Sequence, residues 1–430
     1  MNIYTYEECL KLLNHCEKEK RIEAVARLKE LAVKGAIEIK KKDGYTNNHI
    51  HSKYSFSPYY PAKAAWLAYA EGLSTAGLVD HESTAGAGEF LEAATILGLP
   101  VSCGMEVRVD MRGTALERYR LNNPDQAGNA YVTLQGIAHD KLGYVNDSLF
   151  PYRKARCERT RKMAEEIAKL LARWGIDYSF EQDVLKVSRY EDGGTITERH
   201  MLYALVLKLI AMKGKGPQLV GYLAREWGLA IPEKTETLLA QPDNPHYEYD
   251  MLGLLKASFL DKVYIKADRE CLRVADFIRM SEETGAIPAY CYLGDQKASV
   301  TGDKKPMEFE DRDLEFIIVS LKEMGFRAIE YMPTRNTNEQ ITALRKLCEK
   351  HGMFEICGED INQPGQKFIC EKMKEPLFAG AYENSFALIG HELSTSRGDP
   401  GMFSRENASL PMRERVMKFA AIAGGGTVWK

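Results

Sequence analysis

Two histidines one residue apart, His49 and His51 in "TNNHIHSKYSFSPYYP" (46–61), are the residues of this chain best suited to do chemistry. In an extended strand, residues i and i+2 share a face. His-Ile-His therefore sets two imidazoles side by side and turns Ile50 the other way, into a core. Paired neutral imidazoles are a natural bite for a divalent metal. Two polar residues on a solvated strand face are the competing reading of the motif taken alone. Other candidates end other apolar runs: Asp80 and His81 in "TAGLVDHE", Glu106 in "PVSCGMEVRVD", His139 in "YVTLQGIAH" and Asp360 in "EICGEDIN". A parallel arrangement of those strands would bring them to one rim. Four histidines with Glu106 and Asp360 suit zinc, manganese or iron, and not calcium.

The elements that must position these residues follow from pattern and composition. The 430 residues are ample for two or three domains, or for one barrel with insertions. From residue 46 onward short strands alternate with helices: "NHIHS", "YPAKAAWLAYAEGL", "TAGLVDHE", "AGEFLEAATILGL", "PVSCGMEVRVD". Such alternation predicts an α/β chain with a parallel sheet or barrel, whose polar chemistry falls where strands end. Residues 5–42 read as helical throughout, with Thr5 and Glu8 as a capping box. They form an N-terminal helical extension (1–45), an arm that also offers contacts for a homodimer. Residues 150–280 turn helical and read as an insertion, after which the alternation resumes from "GAIPAYCYLGD" to "FEICGED". The barrel unit spans 46–400, and 401–430 read as a C-terminal tail. The polar stretch 294–311 has the length of a lid or a disordered segment.

Net charge is −3, from 58 basic and 61 acidic residues, which argues against nucleic acid and anionic membrane as partners. The nine cysteines include no C-x-x-C pair. With no apolar N-terminal signal, they read as reduced thiols in a cytoplasmic protein. The longest apolar run, "MLYALVLKLIAM" (201–212), is too short to span a membrane and reads as a buried helix.

Taken in order, "HIHSKYSFSP", "GLVDHE", "CGMEV", "TERHMLYAL", "GAIPAYCYLGD", "AIEYMPTRN" and "ICGEDIN" resemble the PHP (polymerase and histidinol phosphatase) family over roughly residues 46–365. The resemblance implies a distorted (β/α)7 barrel and a metal-dependent phosphoesterase with up to three ions. It implies one ion on His49, His51, Glu106 and Asp360. A second would share Glu106 and use His139, but Tyr292 stands where the family has another histidine. At the third, His81 remains, while Phe56 and Asn362 replace an aspartate and a histidine. One or two ions are therefore expected, not three, with Asp295 as a substitute ligand for the second.

The function so implied is hydrolysis of a small phosphorylated substrate by a metal-activated water at the barrel mouth. His81 would act as general acid, freed from metal duty. Arg335 would grip phosphate, or else cap the next helix. His200 would donate to the phosphate, or else bond a carbonyl. Arg153, Arg156, Arg159 and Arg161 read mostly as a solvated helix face, with one of them reaching the mouth as the other option, and His391, after a strand-like run, as structural. Two other readings stay open: a non-catalytic or sensory barrel that keeps one metal and binds a ligand, and amidohydrolase-like cleavage of C–N or C–O bonds.

Overall fold

The computed structural model describes residues 4–123, 126–295 and 310–424. Among the described residues eight strands are formed: β1 Thr46–Ile50, β2 Thr75–His81, β3 Val101–Asp110, β4 Asn129–Gln135, β5 Leu272–Arg273, β6 Ile287–Cys291, β7 Ala328–Tyr331 and β8 Phe354–Cys357. Seven of them run in the order β1-β2-β3-β4-β6-β7-β8, and the two-residue β5 pairs with the end of β3. Past β8 the chain returns to β1. The His51 amide donates to the Ile361 carbonyl at 3.0 Å and the Ile361 amide to His49 at 3.1 Å. This parallel bridge between Ile50 and Ile361 closes the sheet into a distorted seven-stranded barrel.

One strand breaks the pattern. β4 runs antiparallel to both β3 and β6, while β1, β2, β3, β6, β7 and β8 are parallel to their other neighbours. The C-terminal end of β4 therefore points to the opposite end of the barrel. The strand interiors are apolar because both faces are covered. Met105, Val107, Val132, Leu134 and Tyr290 lie in one core with the outer helices Val274–Thr284 and Leu314–Met324.

The segment 5–42 is less helical than its pattern predicts. Two helices form, Tyr6–Leu12 with the expected Thr5–Glu8 capping box, and Lys18–Val33, after which Gly35 takes φ +70°. Glycine enters this left-handed region without a Cβ clash, and here no helix follows up to β1. The two helices share a core with Trp66, Phe90 and Leu97 of the barrel's own helices. Buried Arg21 also pairs with buried Glu89, through two guanidinium donors at 2.7 and 2.5 Å.

The insertion carries its own core on helices Phe150–Ala172, Glu198–Lys213, Pro217–Glu226 and Tyr247–Phe259, and Phe56 from the β1 loop enters it. The run 201–212 lies within the second of these, and no helix among the described residues is long and apolar enough to cross a membrane. His391 lies in a helix, Ala381–Ser396, and not after a strand. The stretch 401–430 holds the helix Met412–Ile422, which buries Phe419 and Ala420 against that helix. Gly390 is required there, because an added Cβ would collide with the Phe419 carbonyl. Most of the predicted loop 294–311, residues 296–309, lies outside the described residues.

Candidate metal centre

β1 ends with both histidine rings turned to the barrel mouth, and each ring is held from behind. His49 Nδ1 lies 2.5 Å from Glu330 Oε1. Glu330, from β7, is only 3% exposed, and its other oxygen accepts from Thr133 Oγ1 (2.7 Å) and Gln135 Nε2 (3.1 Å). A carboxylate at that distance needs the proton on Nδ1. His51 Nδ1 lies 3.2 Å from Ser55 Oγ, whose single hydroxyl proton goes to Asp80 Oδ1 at 2.6 Å. Ser55 can then only accept, so His51 also carries its proton on Nδ1.

Both Nε2 atoms are left as lone pairs, and they face each other at 3.1 Å. Glu106 Oε2 stands 3.7 Å from each of them, and Asp360 Oδ1 stands 3.2 Å from His51 Nε2. Two lone pairs and two carboxylates converging in a largely buried pocket repel unless a cation, a proton or a metal ion, lies among them. His81 adds a third ring. Its Nδ1 is 2.9 Å from Glu106 Oε2, yet it is buried and makes no directed hydrogen bond. Two donors that close without a proton aimed between them fit a shared ion. The residues present therefore fit a divalent metal.

Without a metal ion, protons take its place on these lone pairs. Burial works against charge on the His49 ring, but Glu330 and Glu106 outweigh it and hold its pKa well above the usual histidine value. Burial is likewise outweighed at Glu106, where His81 and His49 hold the carboxyl well below its usual range. At Asp360, desolvation is likewise outweighed, by His51, which lowers the carboxyl's pKa. Protons and a metal ion would compete for the same lone pairs.

β2 delivers His81 through an unusual turn. Glu82 has φ +46°, in the left-handed region that costs a non-glycine residue roughly 1–3 kcal/mol. Its carboxylate is buried and paired with Arg156 at 2.7 and 2.6 Å. Burial tends to raise the Glu82 pKa, but Arg156 wins and lowers it. Asp80 serves the loop instead. It accepts from the Ser52 amide and hydroxyl and from Ser55, all at 2.6 Å, which fixes the segment that follows His51.

The cluster opens into a cavity of about 520 Å³ lined by His49, His81, Glu106 and Asp360 on one side. Arg108, Arg156, Arg199, Lys256 and Arg335 line it as well, with Phe56, Tyr131 and Tyr264 among its aromatic walls. Phe56 packs edge-on to His200 (5.0 Å) and under the Arg199 guanidinium (4.6 Å).

Several residues singled out from the sequence are not at this cluster. His139 follows antiparallel β4 and so reaches the far end of the barrel, where its Nε2 lies 3.0 Å from Glu392 Oε1. The Tyr292 hydroxyl donates to Asp311 at 2.5 Å, and Asp295 Oδ1 accepts the Glu310 amide at 2.7 Å. His200 is occupied in a capping box, its Nδ1 accepting from the Thr197 amide at 3.0 Å. Burial, helped by nearby Arg156, pushes its pKa down to about 3, and the ring is not among the residues that line the cavity. Asn362 donates to Asp360 at 2.5 Å and thereby orients that carboxylate.

Two features escape sequence reading. Glu330 is visible there only as one acid inside the apolar strand "AIEYMP". Arg153, Arg156 and Arg159 recur every third residue, and the face they define is buried, not solvated: they are 3%, 3% and 7% exposed. That face meets buried Glu82 and Glu270 and partly buried Glu198, and Arg159 bridges Glu270 and Glu198. Only Arg161 of the four is partly exposed, paired with Glu181.

No family model and no curated protein matches this sequence. In fold it is similar to a presumed metal-dependent phosphoesterase of Bifidobacterium adolescentis, at 18% identity and TM-score 0.48 over 77% of this chain and 95% of that one. An amidohydrolase of Chromobacterium violaceum, solved with sulfate and no metal, gives 17% identity and TM-score 0.47 over 76% and 90%. A two-domain protein of Bacteroides vulgatus with a predicted PHP-like phosphoesterase gives 12% and 0.31 over 77% and 57%. These TM-scores all fall short of 0.5, so the likenesses assign no activity to this chain.

Proposed function

We propose that this chain is a metal-dependent hydrolase of small phosphate esters. The observation that carries the reading is the pair of Nε2 atoms 3.1 Å apart beside the Glu106 and Asp360 carboxylates. His49, His51, Glu106 and Asp360 would hold one ion. His81, sharing Glu106, would complete that site or begin a second, which makes His81 a donor before it is a general acid. When bound, such an ion supplies Lewis acidity and brings the pKa of water toward about 7.

The chain's own residues do the rest. Glu330 and the Ser55–Asp80 pair hold the two imidazoles in one tautomer and one orientation. The cationic side chains around the cavity favour an anionic substrate, and Arg335, in the loop after β7, has the fork geometry to bind phosphate oxygens in pairs. The Phe56–Tyr264 side of the cavity takes the remainder of the substrate.

The test is elemental analysis of purified, dialysed protein, followed by assay on p-nitrophenyl phosphate with zinc, manganese and iron. At least one ion per chain and metal-dependent turnover are expected. Wild-type protein that retains no metal would overturn the reading, and metal without turnover would favour a ligand-binding barrel.

A further inference from the structure

We propose that Arg153 and Arg156 of the helical insertion are positioning residues: they grip Glu82 and through it set where His81 stands against Glu106. The functional consequence rests on the metal-site reading above, but the geometry does not.

His81 is the last residue of β2, and Glu82 follows it as the one non-glycine with positive φ among the described residues. A residue with a Cβ stays in that region only where its surroundings hold it. Here every polar group of Glu82 is held. Its amide donates to the Glu106 carbonyl at 2.7 Å. Its carbonyl accepts from Arg153 at 2.9 Å. Its carboxylate accepts from Arg156 at 2.7 and 2.6 Å and from Thr195 Oγ1 at 3.1 Å. Arg153 and Arg156 are three residues apart on the helix Phe150–Ala172, so one helix face holds both the backbone and the side chain of this turn.

The turn has a direct effect on the donor cluster. It ties β2 to β3 at Glu106 and leaves His81 Nδ1 2.9 Å from Glu106 Oε2. Without the two arginines, only the amide bond to Glu106 and the Thr195 hydroxyl still hold Glu82 at φ +46°, and relaxation to an ordinary φ carries the adjoining His81 ring away from Glu106. The insertion is then more than a wall of the cavity. It assembles one third of the imidazole set.

Histidine-labelled protein examined by NMR in the metal-free state tests this directly. In Arg156→Met the His81 ring resonances should shift or broaden, while those of His139 and His391 stay in place. The double variant Glu82→Gly/Arg156→Met should return His81 toward its wild-type position, because glycine accepts this φ freely and no buried carboxylate is left unpaired. A general loss of structure would not be rescued in this way. Zinc titration should show the same order, with affinity falling roughly 10–100-fold in Arg156→Met and recovering in the double variant. If Arg156→Met does not fold, Arg153→Met, which leaves every carboxylate paired, carries the same comparison. His81 resonances unmoved in the arginine variants would overturn the proposal. A wild-type chain that takes up no zinc would instead sink the metal reading, with the NMR result still deciding the role of the arginines.

Discussion

At the C-terminal ends of the parallel strands, His49, His51 and His81 gather round Glu106, and two of their Nε2 lone pairs face each other at 3.1 Å. At the opposite end, His139 also meets a buried glutamate, yet the chemistry is different. Its Nε2 takes Glu392 Oε1 at 3.0 Å, and the other Glu392 oxygen accepts the Cys103 amide at 2.7 Å. There each acceptor has a donor and the pair is closed. At the rim, protons are held on the far side of two rings by Glu330 and Ser55, and acceptors are left facing acceptors. The same residue types make a hydrogen-bonded staple in one place and a cation site in the other. What separates them is where the protons are pinned.

The largest effect that could break this contrast is the loss of Glu106. Glu106→Gln removes the carboxylate that approaches all three rim imidazoles. It should bring metal content below about a tenth of wild type and turnover to background, since losing a ligand exceeds the 10–100-fold cost of losing its supporting partner. His139→Gln should change neither. Elemental analysis of the two variants side by side decides the matter, and a His139 variant that loses its metal would abolish the distinction between the two ends.

A smaller effect sharpens the comparison. Glu330→Gln keeps the shape of the residue but no longer holds the proton on His49 Nδ1 so firmly. Zinc affinity measured by chelator competition should fall roughly 10–100-fold with the fold intact, whereas Glu392→Gln should leave it unaltered. Equal losses in both variants would mean that stability, not proton placement, governs binding.

The smallest effect is a pH dependence at the closed end. The hydrogen bond to Glu392 raises the His139 pKa, outweighing burial. A raised folded-state pKa contributes stability that is fully present below the unfolded value, about 6.5, and is lost as pH rises through the folded value. His139→Gln should therefore be less stable than wild type in acid, by no more than about 1 kcal/mol because the histidine side chain is 39% exposed. The gap should close above neutrality in a series of urea titrations. A gap that widened with rising pH would contradict the pairing.

The positions His49, His51, His81, Glu106 and Asp360 are legible in the sequence because each lies in or just after an apolar strand, and the strands that carry them are parallel. His139 satisfies the same rule and is misplaced by it, because a strand's direction is not written in its own residues. The Arg153–Arg156–Arg159 stripe misleads for a related reason: periodicity shows that side chains share a face but not what that face meets. A buried stripe of arginines is stable only because Glu82, Glu198 and Glu270 arrive from elsewhere in the chain. The short apolar run before His391 suits a strand and a buried helix equally well, and packing chose the helix.

The sequence by itself determined the alternation of strands and helices, the helical insertion and the two imidazoles on one strand face. Those are set by local period and residue type. Only the tertiary structure decided that β4 runs backwards, that Glu330 stands behind His49, and that an arginine face from the insertion holds Glu82 in a left-handed turn beside His81. Each of these depends on partners up to hundreds of residues apart, whose meeting is governed by packing and charge pairing and not by any local pattern.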